Sequence, residues 1–507
     1  MAQPRRTWRH GVLATALAVL VAVPATATPA TAGGYNHGSA KLRKAVTAKG
    51  IFEHLAALQR IADRNGDTRA SGTPGYDQSA AYAERIFRRA GYRVTTQVFP
   101  FQTFVNNAPS VLQRVSPAPA DLPNSVMSYS GSADVTAPAS VPTGSALGCA
   151  ATDFGAANAG TIVVISRGSC TFGVKASNAL AAGAAGVVIY NNVDGALEGT
   201  LGNTFTAEVG AVGITQALGQ ELVAQVPAGL TLHLVTDTTR EMASTRNVIA
   251  ESRHGNPDNV VMAGAHLDSV SEGPGINDNG SGAAALLEIA QEMSKVRTKN
   301  RVRFALWGAE EANLVGSTHY VATLPAAEAE KIALYLNFDM IGSPNYVRFV
   351  YDGDNSAFPV GTGSAAGPPG SGAIELLFHE YVADRGLASA ETPFSGRSDY
   401  GPFIAAGIDI PSGGLFTGAE GVKTEAEAAV YGGTAGEAYD PCYHDACDDL
   451  GNVSRKAIDE MSDAVAHAII TYAFDTSSVT APAAPAAGST APAAGGGGLH
   501  GGHDVTS

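Results

Sequence analysis

VVMAGAHLDSV, residues 260–270, is a nearly uninterrupted apolar run that ends on a histidine and an aspartate. Two later runs repeat the pattern. Val302–Trp307 leads into Gly308-Ala309-Glu310-Glu311, and Leu334–Phe338 leads directly into Asp339. Runs without polar alternation suit strands buried on both faces of a sheet. Helical segments at 282–295 and 326–331 separate them, so the spacing predicts an α/β fold with a mostly parallel central sheet flanked by helices. Such sheets bind ligands at the carboxyl ends of their strands, which is where all three runs place acidic or imidazole groups.

Working outward, residues 51–65 and 78–90 carry helical periodicity around a Gly/Ser/Pro break at 70–76, and 92–101 reads as a strand. Between 103 and 243 the texture changes to Pro- and Ser-rich segments with short strands at 161–166 and 186–190, the mark of an inserted domain. The body is therefore expected at 33–102 and 244–474. Residues 475–507 are rich in Ala, Pro, Gly, Ser and Thr and are expected to be a disordered tail, with no role for His500 or His503. Residues 1–32 read as a secretory signal peptide: Arg5, Arg6 and Arg9, an apolar run from Gly11 to Val23, then Ala-Thr-Ala at 25–27. The Arg5-Arg6 pair admits twin-arginine export, but its surroundings fit that signal poorly and general secretion is the expectation. The apolar run is shorter than the roughly 20 residues that span a bilayer, so a soluble extracellular protein is expected.

The formal net charge of -15, with no basic run after the signal, argues against nucleic acid or an anionic membrane as partner. Four cysteines in an exported chain suggest two disulfides, and their spacing pairs Cys149 with Cys170 and Cys442 with Cys447.

The chemistry gathers at His266, Asp278, Glu310-Glu311, Asp339 and His444. Asp278 lies in a Gly-rich turn just before a helix, where it could also be no more than a helix cap. His444 lies between Cys442 and Cys447, whose disulfide would fix it. Histidines with carboxylates are zinc ligands, and two ions about 3.5–4 Å apart can share a carboxylate and a water whose pKa they lower. Of two adjacent glutamates leaving a strand, one can bind metal while the other addresses the water. Asp268 is expected to accept a hydrogen bond from the ring nitrogen of His266 that faces away from the metal.

The segments AGAHLDSV (263–270), GINDNGSGAAALLE (275–288), WGAEE (307–311), YLNFDMIGSPN (335–345), GRSDYGPF (396–403), GGLFTGAE (413–420), YGGTAG (431–436) and DPCYHDACD (440–448) closely resemble the secreted bacterial double-zinc leucine aminopeptidases of metallopeptidase family M28. The resemblance implies a zinc-peptidase, phosphorylase-like α/β fold. It places one zinc on His266 and Asp339, the other on Glu311 and His444, and Asp278 between them. It makes Glu310 the general base, Tyr443 a phenol that stabilises the oxyanion, and Met340, Gly396, Arg397 and Phe416 the lining of a pocket for a large apolar first residue. Peptides with a free N-terminus are the implied partners, and a monomer the implied state. Tyr400 departs from the pattern, since many relatives have His there. Asp459 and Asp463 match calcium-binding acids of some relatives, but the N-terminal acidic partner is absent, which puts calcium in doubt. Within the insertion, GTIVVISRGSCTFGVKASNALAAGAAGVVIYNN (160–192) resembles a β-rich protease-associated domain, with Cys149–Cys170 as its disulfide and a lid or recognition role. Carboxypeptidases, glutaminyl cyclases and receptor-like proteins share this scaffold; the full ligand set argues against a receptor, and the Tyr443 and GGLFTGAE segments match the aminopeptidase branch.

Overall fold

The structure, a computed structural model, describes residues 33–358, 364 and 366–480. The expected signal peptide and residues 481–507 of the expected tail lie outside them. Strand β1 (Arg93–Ser116) leaves the body. Strands β2 (Ala133–Ser140), β3 (Ile162–Ser166), β4 (Gly186–Tyr190) and β5 (Ala211–Ile214) follow in the insertion, and β6 (Thr231–Glu251) returns. The body then adds β7 (Asn256–His266), β8 (Asn300–Trp307), β9 (Ile332–Phe338), β10 (Phe349–Tyr351), β11 (Ala390–Thr392) and β12 (Ser412–Phe416).

The body sheet runs in the order β11-β10-β12-β9-β7-β8-β6, with β1 paired beyond β6. Strands β8, β7, β9 and β12 are mutually parallel. Antiparallel pairings of β6 with β8 and of β10 with β12 flank this centre. Parallel neighbours need crossovers, which the helices Gly280–Met293 and Val315–Thr323 help to supply. Both faces of β7 are buried. Val261, Ala263 and Ala265 pack with Leu55, Leu286 and Ile469 of the covering helices, whereas Met262 joins Trp307, Tyr335 and Phe403 on the other face. That two-sided burial is why the strand reads as one apolar run.

Two helices begin earlier than the periodicity alone suggests. Thr47 accepts from Gly50 N to start Ala48–Ala62, and Thr73 accepts from Tyr76 N to start Pro74–Arg89, with Pro74 pre-set at the first turn. The expected break at 70–76 therefore holds a helix start.

The insertion is not joined through loops. β1 and β6 stay paired from Arg93↔Glu251 to Ser116↔Thr231, with bulges near Ala108, so the expected boundaries near 103 and 243 fall inside one ribbon. Beyond it, β2, β3, β4 and β5 are parallel neighbours, accompanied by the helices Phe172–Ala181 and Gln216–Gln225. At the other end, packing continues past the expected limit at 474. The helix Ser477–Thr480 buries Val479, and Asn259 Nδ2 donates to Thr476 Oγ1 at 2.8 Å, so 475–480 belong to the body despite their composition. Among the described residues no helix is long and apolar enough to cross a membrane.

Candidate metal centre

The parallel register sets Trp307 opposite His266, so β7 and β8 end level with each other. β9 ends at Phe338, one residue before Asp339. His266 Nε2 stands 3.0 Å from Asp278 Oδ1 and 3.3 Å from Asp339 Oδ1. His444 Nε2 stands 3.2 Å from both Asp278 Oδ2 and Glu311 Oε2. The two oxygens of Asp278 thus face different imidazoles. Two donor groups share that residue: His266, Asp278 and Asp339, and Asp278, Glu311 and His444, the donor atoms of each lying within 4.8 Å of one another. All five sequence-derived ligands are brought together.

Several of the candidate donors are held in place by neighbouring groups. Asn279, rather than Asp278, caps the helix Gly280–Met293, accepting from Gly282 N while its Nδ2 donates to Phe338 O. A side chain at 282 would meet that carbonyl at 2.2 Å, so the turn requires glycine there. The Asp448 carboxylate accepts from the backbone N–H groups of Asn277 (2.8 Å) and Asp278 (2.9 Å), linking the His444 loop to the Asp278 turn. Asp339 is reached by a chain of hydrogen bonds: Trp307 Nε1 donates to Tyr335 Oη, Tyr335 to Asn337 Oδ1, Asn337 Nδ2 to Ser398 Oγ, and Ser398 to Asp339 Oδ2. Positive φ at Ala309 (53°), Met340 (50°) and His444 (57°) marks strain next to the donors.

One expectation is corrected. His266 Nδ1 lies 3.1 Å from the backbone carbonyl of Asp268 and 3.8 Å from its carboxylate, so the carbonyl orients the ring. The carboxylate instead accepts from Glu310 N at 3.3 Å, because β7 and β8 place that amide directly beside it.

The donors fit a metal. Glu311 Oε1 and Asp339 Oδ1 are buried and make no hydrogen bond. The carboxyls of Asp268, Asp278, Glu310, Glu311, Asp339 and Asp399 outnumber the imidazoles of His266 and His444, a charge imbalance that burial makes unfavourable without cations. Burial would raise Asp278, but contact with His266 and His444 holds its carboxyl well below the usual range. Burial also disfavours charge on His266 and His444, yet Asp339 and Glu311, respectively, are the leading carboxylates that raise the two rings well above the ordinary imidazole range. Burial pushes Glu310 well up and Glu311 up. Divalent cations would reverse this logic, keeping carboxylates ionised and imidazoles neutral.

A second gathering of Glu375, His379 and Glu391 lies away from these strand ends. It is accounted for as an ion pair, His379 Nε2 to Glu391 Oε1 at 2.9 Å, with Glu375 accepting from Gly353 N.

The model of peptidase family M28 matches residues 247–469, and that of the PA domain matches 133–222. The aminopeptidase of Pseudomonas aeruginosa strain PAO1 is 48% identical over 441 residues, covering 84% of this chain and 81% of that protein. The chain belongs to peptidase family M28. A probable leucine aminopeptidase 2 of Aspergillus fumigatus is 47% identical over 358 residues, 70% of each chain. Among solved structures, the aminopeptidase of Aneurinibacillus sp. strain AM-1 superposes with a TM-score of 0.68 at 29% identity, over 85% of this chain and 95% of that one. A zinc aminopeptidase of Bacillus subtilis gives 0.59 at 26% identity, over 84% and 95%. Within the family this chain is an aminopeptidase, and the membership implies zinc.

Around the M28 centre the remaining sequence-derived residues take up definite positions. Tyr443 stacks on His444 with ring centroids 3.8 Å apart, and its hydroxyl accepts from Arg397 Nη2 at 3.4 Å. Arg397 pairs with Glu420 at 3.1 Å. Gly396 N donates to Tyr400 Oη at 3.0 Å, while the Tyr400 ring is buried against Tyr351 and Phe394. Phe416 ends β12 and stacks on Phe349; Met340 follows Asp339 and accepts from Thr417 N. Both disulfides form as expected. The PA insertion reaches the centre: Asn203 Nδ2 donates to Ala312 O at 2.9 Å, next to Glu311. Asp463 lies 3.6 Å from both Arg43 and Arg385.

Asp448, Asn279, Ser398 and Asp399 were not singled out from sequence. Asp440 and Asp448 do bracket the cysteine loop, which is a signal of sorts. Asp399 lies in the GRSDYGPF segment but was given no role there: it is almost wholly buried, and burial pushes its carboxyl up to about 8.

Proposed function

We propose that this M28 peptidase is an exported two-zinc aminopeptidase that releases large apolar residues from peptides with a free N-terminus. The observation that carries the metal count is Asp278, whose two oxygens face the imidazoles of two separate donor groups. His266 and Asp339 would hold one zinc, Glu311 and His444 the other, with Asp278 between them. Zinc bound there would polarise the scissile carbonyl and make water a nucleophile near neutral pH.

The chain's own groups do the rest. Glu310 is oriented through its amide on Asp268, and its carboxylate takes the proton of the attacking water and delivers it to the leaving amine. Tyr443 accepts from Arg397, which leaves its own O–H proton free to donate to the developing oxyanion. The aromatic groups at Phe416 and Phe349, with Met340, support an apolar first residue. Asn203 on Ala312 supports a PA domain that limits which peptides reach the centre. The disulfides fit an oxidising, extracellular setting.

The test is hydrolysis of leucine anilide with a free or an acetylated amine, before and after chelation and with zinc added back. Cleavage of the free-amine substrate alone, lost on chelation and restored by about two zinc per chain, is expected. Equal cleavage of the blocked substrate removes the aminopeptidase reading; full activity at one zinc removes the two-metal one.

A further inference from the structure

Thr68–Ser71 lies between the helices Ala48–Ala62 and Pro74–Arg89 and supplies no metal donor, yet it touches two of the three strand ends that carry the candidate donors. Arg69 is completely buried, and its guanidinium donors go to backbone carbonyls: Nε to Pro274 O at 2.8 Å, Nη2 to Gly275 O at 2.5 Å, and Nη1 to Leu267 O. Its own amide donates to Ser269 Oγ at 2.9 Å, and Thr68 Oγ1 donates to Val270 O at 2.9 Å. Leu267 follows His266, and Pro274-Gly275 begins the turn to Asp278. One side chain therefore spans the start and end of the loop between two expected ligands. Two residues on, Ser71 Oγ accepts from Ala309 N at 2.7 Å, and Ala309 directly precedes Glu310 and Glu311. Thr245 Oγ1 donates to the same Ser71 oxygen at 3.2 Å, so the base of the insertion ribbon joins the contact.

A guanidinium is an unfavourable group to bury, and core packing alone would be served better by an apolar side chain. What it alone provides is a rigid planar fork whose donors match carbonyls from two turns at once. We propose that Arg69 and Ser71 are positioning residues of the metal centre: Arg69 fixes the loop that sets His266 relative to Asp278, and Ser71 fixes the backbone that aims Glu310 and Glu311. The assignment rests on the two-zinc reading above. Neither residue touches metal or substrate; each acts by holding a ligand-bearing backbone in place, and donor misplacement of an ångström is enough to weaken a metal site.

The full-length chain is compared with Ser71→Ala, Arg69→Lys and Arg69→Met. Three quantities are read: zinc affinity of the apoprotein against a chromophoric chelator, the apoprotein's thermal midpoint, and kcat and KM on leucine anilide at saturating zinc. Ser71→Ala is expected to keep its apo midpoint within a few degrees while zinc affinity falls at least tenfold and kcat falls with little change in KM. Arg69→Lys, which keeps the charge and loses the fork, should lose more affinity than Ser71→Ala, and Arg69→Met should be no better than Arg69→Lys. Variants that lose thermal stability but bind zinc as tightly as the parent would overturn the proposal. Should the Arg69 variants not fold, Ser71→Ala decides alone, and unchanged affinity refutes it. A parent that binds two zinc ions but spares the free-amine substrate would sink the aminopeptidase reading and leave this one standing.

Discussion

Cutting the Cys442–Cys447 bridge isolates what holds His444 in place. That histidine sits at a loop tip with a side chain 40% exposed and a φ of 57°, and Tyr443 stacks on one face of its ring. The bridge spans a sequence separation of 5. Closing a loop of about six residues removes roughly 7 cal/mol/K from the unlinked chain, or about 2 kcal/mol at 25 °C. If the unlinked loop is free in the apoprotein and ordered only when metal binds, that energy is withdrawn from affinity at the His444 side, roughly a thirty- to fortyfold loss. The figure is an upper limit. Asp445 N on Cys442 O (3.0 Å), Asp448 N on Asp445 O (3.0 Å) and Cys442 N on Asp440 Oδ1 (2.9 Å) survive the cut and keep part of the loop in place. The Cys442→Ser/Cys447→Ser double variant should therefore bind its first zinc nearly as the parent does and its second about tenfold or more weakly, as read by chelator competition. The kcat for leucine anilide should recover with excess zinc. Affinity for both ions within twofold of the parent would refute the reasoning, by showing that the loop's own hydrogen bonds already hold His444.

Glu310→Gln should keep both zinc ions and lower kcat by about 10²–10⁴-fold, the range for losing a general base; metal analysis with steady-state kinetics checks both halves. Gly264→Ala should destabilise by about 1–3 kcal/mol and lower kcat, because the new Cβ would meet Tyr335 Oη at 2.3 Å and Trp307 Nε1 at 2.7 Å, at the head of the hydrogen-bond chain to Asp339. A normal melting midpoint would contradict it. His467 is buried on the helix Arg455–Phe474, where it is faced by Arg43 and Ser39 of the helix Gly33–Ala45, Tyr381 of the helix Ser371–Asp384, and Asp463 one turn earlier. Burial, then Arg43, lowers its imidazole to about 4. Its unfolded form protonates first as pH falls, so stability present above about pH 6.5 should decline towards pH 4, by roughly 3 kcal/mol at most. His467→Gln should flatten that part of the denaturation profile, and an unchanged slope would contradict the assignment.

Much of the centre was legible because its chemistry is local. An apolar run, then His266 or Asp339, is readable wherever a doubly buried strand ends. The inserted PA domain showed in composition, although backbone pairing carries its strands further into the body than composition suggests. Asp268 was placed beside His266 correctly but given the wrong contact, since two-residue spacing does not say which of its oxygens faces the ring.

What the sequence by itself determined was the alternation of buried strands with helices, the donor residues at three strand ends, and the short cysteine loop around His444, all set by side chains within a few positions of one another. Only the tertiary structure decided that Asp278 turns one oxygen to each imidazole, that Asp448 ties its turn to the His444 loop, and that Arg69 and Ser71 brace the backbones of His266 and Glu310. The contacts of Asp448, Arg69 and Ser71 join residues about 170 to 240 positions apart. No local propensity encodes them, because they exist only once the sheet has brought its strand ends level.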